Sequence, residues 1–175
     1  MVGAFLVVST ASVLAQEKPP AATATPSPIA PAKPRPAGYE KLQMFVGHWT
    51  LEGREDQYLE QCDWFDGRFT VVCNTESKRR DGTVSRGMSV LGYLPEEDVY
   101  TYHGFNSSGR NETQRGGFKG TTFWVEGEAR DDGKMVKSRV TITPKTDGNF
   151  TLVGESSTEG APWVTDGAFQ YKRLR

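Results

Sequence analysis

Glycine-containing turn signals interrupt this chain about every ten residues from position 66 onward, and this spacing limits its fold more than any other feature. Asp66-Gly67, Asp81-Gly82, Asp132-Gly133 and Asp147-Gly148 supply residues that tolerate the positive φ of tight hairpins. Short segments between regular turns are typical of an all-β sandwich or barrel. The 19 glycines and the 11% aromatic residues also favour strands and turns over helices.

The segments between these turns alternate apolar and polar residues, as half-buried strands do. Val140 and Ile142 fall on one face of such a segment, and Thr141 falls on the other. We count about eight to ten strands, and an antiparallel sheet of that size tends to close because closure removes its unpaired edges. The sequence predicts an all-β fold, a single antiparallel up-and-down barrel over residues 39–175, which begins with a short helical turn at 39–45.

The segment before the barrel has a different composition. Residues 1–15 are small and apolar and end in Val13-Leu14-Ala15, which suits signal-peptide cleavage. A membrane-spanning helix needs roughly 20 apolar residues, so no membrane span is predicted. Residues 16–38 are rich in Pro, Ala and Thr and predict a disordered linker. Together they predict an exported protein, periplasmic or secreted. The basic start of such a leader is missing, which leaves a non-exported chain as the alternative.

Charge and glycine patterns argue against several classes of function. The formal net charge is −1, so no long-range field attracts nucleic acid or anionic lipid. The glycines within residues 115–120 precede a strand rather than a helix, unlike those of a dinucleotide-binding loop. Ser89 lacks the spacing of a nucleophile elbow. We therefore predict no cofactor and no nucleic-acid partner.

Two cysteines flank the Asp66-Gly67 turn. If the hairpin is centred on that turn, Cys62 and Cys73 share a face with Trp64, and a register that pairs 62 with 73 sets the thiols opposite each other. In an oxidising compartment this predicts a disulfide, worth about 3 kcal/mol in the chain-entropy model. Two buried free thiols in a neighbouring register are the alternative. Two cysteines without nearby histidines do not make a zinc site.

The surplus of aromatic residues suggests an internal cavity. Our candidates for its wall are Trp64, Met88, His103, Phe105 and Phe123. If His103 faces such a cavity, its imidazole can bind a ligand or move a proton. The alternative is that these side chains fill a solid core, as they do in narrow barrels.

Three functions follow from these patterns. The first is a binding barrel for a small apolar ligand. The second is an enzyme that uses the mouth of the barrel, with His103 as acid or base beside Tyr100 or Tyr102. The third is an interaction module of the cell envelope, with Trp163 as its exposed anchor. The alternative for Trp163 is that it folds back over the mouth of the barrel.

The string Leu42-x-x-Phe45-x-Gly47-x-Trp49 resembles the opening signature of lipocalin-like barrels. The resemblance implies a Trp that plugs the closed end and packs against a basic residue of the last strand. Lys172 or Arg173 would then be the cation–π partner of Trp49. It also implies an internal cavity that holds an apolar molecule.

The wider layout is similar to a mainly bacterial family catalogued as a domain of unknown function. The similar features after the Gly-x-Trp start are Asp-Gly-Arg-Phe at 66–69, Leu-Gly-Tyr at 91–93 and a closing Tyr-x-Arg strand. This resemblance covers residues 39–175 and does not indicate that the protein catalyses any particular reaction. Haem-binding relatives of this barrel type place an axial His late in the chain, whereas no His follows His103 here, so the resemblance does not extend to haem.

Overall fold

The computed structural model describes residues 36–174. The segment predicted as a signal peptide and most of the predicted linker lie outside these residues. Ten antiparallel strands form a closed barrel, in which each strand pairs with its neighbours in the chain and the last pairs with the first. This confirms the predicted single up-and-down barrel. The strands are β1 Gly47–Leu51, β2 Tyr58–Trp64, β3 Val71–Lys78, β4 Val84–Leu94, β5 Val99–Asn106, β6 Asn111–Lys119, β7 Thr122–Asp131, β8 Lys134–Pro144, β9 Phe150–Thr158 and β10 Val164–Arg173.

The predicted helical turn is a 3₁₀ helix over Ala37–Met44, directly before β1. Its Leu42 side chain is fully buried. A second, three-residue 3₁₀ turn, Asp66–Arg68, joins β2 to β3. Among the described residues, no helix combines the length and the apolar character that crossing a membrane requires.

The N-terminal helix lies at one end of the barrel, which we call the closed end. The backbone oxygen of Gly38 accepts a hydrogen bond from the hydroxyl of Tyr100 at the start of β5. The side chain of Gln43 accepts one from Trp64 at the end of β2. Because the strands alternate in direction, the β1–β2, β3–β4, β5–β6, β7–β8 and β9–β10 connections all lie at the opposite end, which we call the mouth.

Aromatic rings fill the closed end of the barrel. Trp49 is 1% exposed, and its ring centroid lies 4.6 Å from that of Phe150. The ring centroid of Phe123 lies 5.0 Å from that of Phe45 and 5.1 Å from that of Phe118. Edge-to-face and tilted contacts of this kind add to the stabilisation from burial. The main hydrophobic core therefore lies between the N-terminal helix and the halves of the strands that are nearer to the closed end.

Gly47 explains why Gly-x-Trp opens the first strand. Its φ is +144°, a value that L side chains rarely adopt, and a Cβ atom there would overlap the guanidinium of Arg173. That guanidinium donates to the backbone oxygen of Val46 at 2.7 Å, and its carbon lies 4.1 Å from the centroid of the Trp49 ring. Of the two basic residues considered above, Arg173 occupies the position over Trp49. Lys172 instead pairs with Glu55, 3.1 Å away.

Cys62 and Cys73 form a disulfide, as the sequence predicts. The register pairs Cys62 with Cys73 and Trp64 with Val71, which is the register deduced from the turn. Both cysteines are buried on the inner face of the barrel. The bond therefore fixes the pairing of β2 with β3.

Candidate ligand-binding cavity

A cavity of about 300 Å³ lies inside the barrel, between the aromatic core and the mouth. Its lower wall is apolar and includes Trp49, Phe123, Val125, Val140, Ile142 and Phe150. Its upper wall carries the polar side chains of Tyr58, Glu60, Tyr102, Glu112, Gln114 and Tyr171. Arg86, Asn106 and Arg110 line it at the mouth. The cavity thus offers an apolar floor and a polar upper half to one small molecule.

Small side chains on β3 and β4 leave this space open, and on β5 the Tyr102 ring lies over Gly104. Gly87, Ser89 and Gly104 all line the cavity, and Ser89 lies opposite Gly104 in the register of β4 and β5. Thr75 and Ser77 continue the same wall on β3. Tightly filled barrels carry large residues at such positions. The cavity therefore follows from the sequence of β3 and β4.

Glu60 lies on β2 and faces the cavity. The Tyr58 hydroxyl donates a hydrogen bond to its Oε2 at 3.1 Å. Burial raises the pKa of the Glu60 carboxyl to about 7, and the hydrogen bond from Tyr58 only partly opposes this. The accessible part of Glu60 is exposed to the cavity rather than to the outer surface, because neighbouring strands enclose it. Within the described part of the chain, Glu60 forms no ion pair.

Three tyrosines surround this carboxyl group. The hydroxyls of Tyr58 and Tyr171 are 2.9 Å apart, and their rings meet edge to face. Burial first, and then the negative charge of Glu60, raise the pKa values of Tyr58 and Tyr171 well above the usual tyrosine range. Burial likewise raises the pKa of Tyr102, with Glu112 and Glu60 as further causes. All three hydroxyls therefore stay protonated near neutral pH and can donate or accept hydrogen bonds.

The disulfide lies directly beside Glu60. A carboxylate oxygen of Glu60 and the two sulfurs of Cys62 and Cys73 all lie within 4.8 Å of one another. Because both sulfurs are consumed by the disulfide, they are not thiolate ligands for a metal. The disulfide instead forms a covalently fixed part of the cavity wall next to the Glu60 carboxyl group.

Two further polar groups complete the upper half. Glu112 pairs with Arg110 at 3.5 Å, so its charge has a cationic partner at the mouth. Gln114 is 2% exposed, and its Nε2 donates to the Ser138 hydroxyl at 2.8 Å. Its Oε1 is the one buried side-chain polar atom among the described residues that has no hydrogen-bond partner. An acceptor in such a position costs free energy unless a donor reaches it.

The residues that the sequence suggested for the cavity wall occupy different places. Phe123 is 1% exposed and lines the floor. Met88 and Phe105 border the cavity at the mouth, but they alternate with the inward Ser89 and Gly104, so their side chains face outward and are 43% and 48% exposed. Trp64 lies at the closed end, where its indole N–H donates to Gln43. Of these four residues, Phe123 is the one whose side chain lies inside the cavity.

His103 lies on the outer face of the barrel. Its neighbours Tyr102 and Gly104 line the cavity, so the alternation of β5 turns the imidazole outward. There its Nδ1 lies 3.2 Å from the Thr113 hydroxyl of the adjacent strand. The side chains of His103 and Tyr102 therefore point to opposite sides of the sheet.

Trp163 lies in the connection between β9 and β10, at the mouth end. It is 37% exposed, and the guanidinium carbon of Arg139 lies 4.5 Å from the centroid of its ring. Arg139 also pairs with Glu155 at 2.9 Å, and it precedes the cavity-lining Val140. Arg139 therefore faces outward, and the Trp163 ring rests against the outer wall rather than over the cavity.

The sequence analysis missed Glu60, Tyr58 and Tyr171. One signal could have found Glu60 and Tyr58, because the alternation that turns Cys62 inward turns these two residues inward as well. The inward position of Cys62 therefore fixed the direction of the whole strand.

No protein-family model matches this sequence, and no curated protein matches it either. The structure defines the class of protein as a closed ten-stranded antiparallel barrel, an architecture compatible with a lipocalin-like barrel. Function has to be argued from the cavity itself.

Proposed function

We propose that this protein binds one small, largely apolar molecule in its cavity. The observation that carries the proposal is the unfilled space of about 300 Å³ above an aromatic floor. Small-molecule sites begin at roughly this volume and combine apolar walls with a few placed polar groups. The resemblance of the opening Gly-x-Trp motif to lipocalin-like barrels supports the same function.

The contrast between floor and side wall favours a binding barrel over a solid core. Phe123 and Phe150 are packed against other rings, whereas Gly87 and Ser89 present almost no side-chain volume to the interior. Filling a cavity with apolar atoms restores the dispersion contacts that its lining lacks. A bound apolar chain would supply those contacts.

We also propose that the protein acts outside the cytoplasm. The Cys62–Cys73 disulfide supports an oxidising compartment, because such bonds persist mainly in exported proteins. The apolar stretch at residues 1–15 and the Pro-rich stretch that follows support export in sequence terms. A carrier of this kind would take up its ligand in the periplasm or outside the cell.

The first experiment is native mass spectrometry of the full chain, purified without denaturant from its source cells, before and after extraction with organic solvent. We expect a stoichiometric extra mass that moves into the solvent. A protein that carries no extra mass, and stays empty after incubation with a lipid extract of those cells, would overturn the proposal.

A pair of neighbouring variants locates the ligand. Val140→Phe fills the cavity from β8, whereas Thr141→Phe adds the same ring to the outer face of the same strand. We expect Val140→Phe to lose the extra mass and Thr141→Phe to keep it. Retention by both variants would place the ligand outside the cavity.

A further inference from the structure

We propose that the polar upper half of the cavity is a subsite for a protonated amine, so that the bound molecule is a small apolar amine whose nitrogen pairs with Glu60. This inference rests on the proposed function, because it names the class of ligand for the same cavity. Its first support is the charge of the site. Buried carboxylates are normally paired with a cation, yet among residues 36–174 the one side-chain hydrogen bond to Glu60 comes from Tyr58. An ionised carboxylate has room for several more donors.

The cations around the mouth are committed to other carboxylates. Arg110 pairs with Glu112 at 3.5 Å. Arg86 pairs with Glu76 at 3.1 Å. Within residues 36–174 no Lys, Arg or His side chain lies within 4.0 Å of the Glu60 carboxylate. The protein therefore places a carboxyl group without a cationic partner next to an open space, where a ligand can supply the cation.

The rings around Glu60 suit a cation. Tyr58 and Tyr171 lie edge to face, and Tyr102, on β5, lines the same cavity. Aromatic faces attract ammonium groups, and the attraction strengthens in a desolvated site. A carboxylate among tyrosines thus favours an amine over a neutral alcohol of the same size.

The unpaired Oε1 of Gln114 points to a hydrogen-bond donor as well. Gln114 belongs to the cavity wall, and its amide nitrogen donates to Ser138, while its Oε1 is buried within that wall without a hydrogen-bond partner among the described residues. A ligand donor reaches this oxygen once the Gln114 amide turns towards the cavity. An ammonium group carries up to three donors, so one ligand nitrogen can serve more than one acceptor. A carboxylate ligand would instead bring a third anion beside Glu60 and Glu112. The site therefore selects against fatty acids.

The pH dependence of binding follows from the groups that face Glu60. These groups are Tyr58 from its own strand, Tyr171 from β10, Tyr102 from β5, and Glu112 from β6 through Tyr102. The cysteines of β2 and β3 are in a disulfide and do not titrate. Since burial raises the pKa of Glu60 to about 7, the ion pair forms above that pH and is lost below it. Amine affinity should fall by up to about tenfold per pH unit below 7.

The test uses the full chain and three probes with one eight-carbon chain: octylamine, 1-octanol and octanoate. Isothermal titration calorimetry at pH 8 should give an affinity for octylamine about tenfold above that for octanol, with octanoate weakest. Glu60→Gln should bring octylamine down to the level of octanol and leave octanol within about twofold. Glu128→Gln, on an exposed position of β7, is the matched control and should change neither affinity.

The outcomes separate this inference from the function on which it rests. Octanol binding without a preference for octylamine, or a preference that survives in Glu60→Gln, overturns the amine subsite and leaves the carrier function standing. Binding of none of the three probes overturns both. The wild-type protein gives a second test that needs no variant, because an octylamine affinity that stays constant between pH 5 and pH 8 also overturns the inference.

Discussion

The two ends of the barrel interior are built from opposite kinds of side chain. At the closed end, Trp49, Phe123 and Phe150 are at most 5% exposed and touch other rings. Towards the mouth, the interior carries Glu60 and Gln114 beside glycine and serine. The first arrangement maximises burial and dispersion, whereas in the second, within the described residues, Glu60 lacks an ion pair and the Gln114 Oε1 lacks a hydrogen-bond partner. The closed end therefore stabilises the fold, and the upper half is available for recognition.

Removing the plug of the closed end should give the largest loss. Trp49→Ala deletes a buried ring, its N–H bond to the Phe45 oxygen and its contact with Arg173, so we expect unfolding free energy to fall by about 3–5 kcal/mol. Urea denaturation measures this loss. Trp124→Ala, at an outward position that is 38% exposed, is the control and should cost less than about 1 kcal/mol. Equal losses in both variants would contradict the role of Trp49 as the plug.

Opening the disulfide should give the next effect. Replacing both Cys62 and Cys73 with Ser should lower the unfolding free energy by about 3 kcal/mol, because the unfolded chain regains the entropy of an open loop. The same urea titration applies. Wild-type protein in reducing buffer is the control and should unfold like the double variant. Insensitivity of the wild type to reductant would show that the bond is absent in solution.

Glu60 should destabilise the ligand-free protein at high pH. Its folded pKa of about 7 exceeds its ordinary 4.5, so the folded state holds the proton more tightly. Stability therefore falls as pH rises from 4.5 to 7, by about 2–3 kcal/mol in total. Glu60→Gln should remove this fall and be more stable than wild type at pH 8 but not at pH 4. Thermal unfolding across this pH range checks it, and Glu128→Gln should follow the wild-type curve.

The smallest effect is expected outside the interior. His103→Ala removes one hydrogen-bonding contact to Thr113 on the outer face, so the unfolding free energy should change by no more than about 0.5 kcal/mol. Retention of the ligand in native mass spectrometry should be unchanged. A His103→Ala variant that lost its ligand would place the binding site on the outer face of the barrel instead.

Much of the fold was predictable because local rules act strongly in hairpins. The Asp66-Gly67 turn and the alternation around it put Cys62 and Cys73 on the same face, and of the two registers left open the structure has the one that pairs them. Alternation also predicted the strands of the second half, where Val140 and Ile142 turn inward as expected. The barrel was therefore predictable from two local features, the residues that form the turns and the two-residue alternation of apolar and polar side chains in the strands.

The candidate site was harder to predict because β2 reverses the usual pattern. Leu59 is 47% exposed on the outer face, whereas Glu60 faces the interior. A hydrophobicity pattern assigns such a carboxylate to solvent. On β5 both faces carry aromatic residues, with Tyr102 inside and Phe105 48% exposed, so alternation alone did not tell which side encloses the cavity. Closure of the barrel settles these directions, and closure is a property of all ten strands together.

The pairing of β1 with β10 has a practical consequence for anyone who wants to handle this molecule. The described chain enters through the N-terminal helix and leaves after Arg173, which lies opposite Trp49 in that pairing. Entry and exit therefore share the closed end, on the far side from the entrance to the cavity. A dye, an affinity tag or a sensor surface attached at residue 36 or residue 174, the two ends of the described chain, is anchored on the side away from that entrance, which suits immobilised protein for screening compound collections.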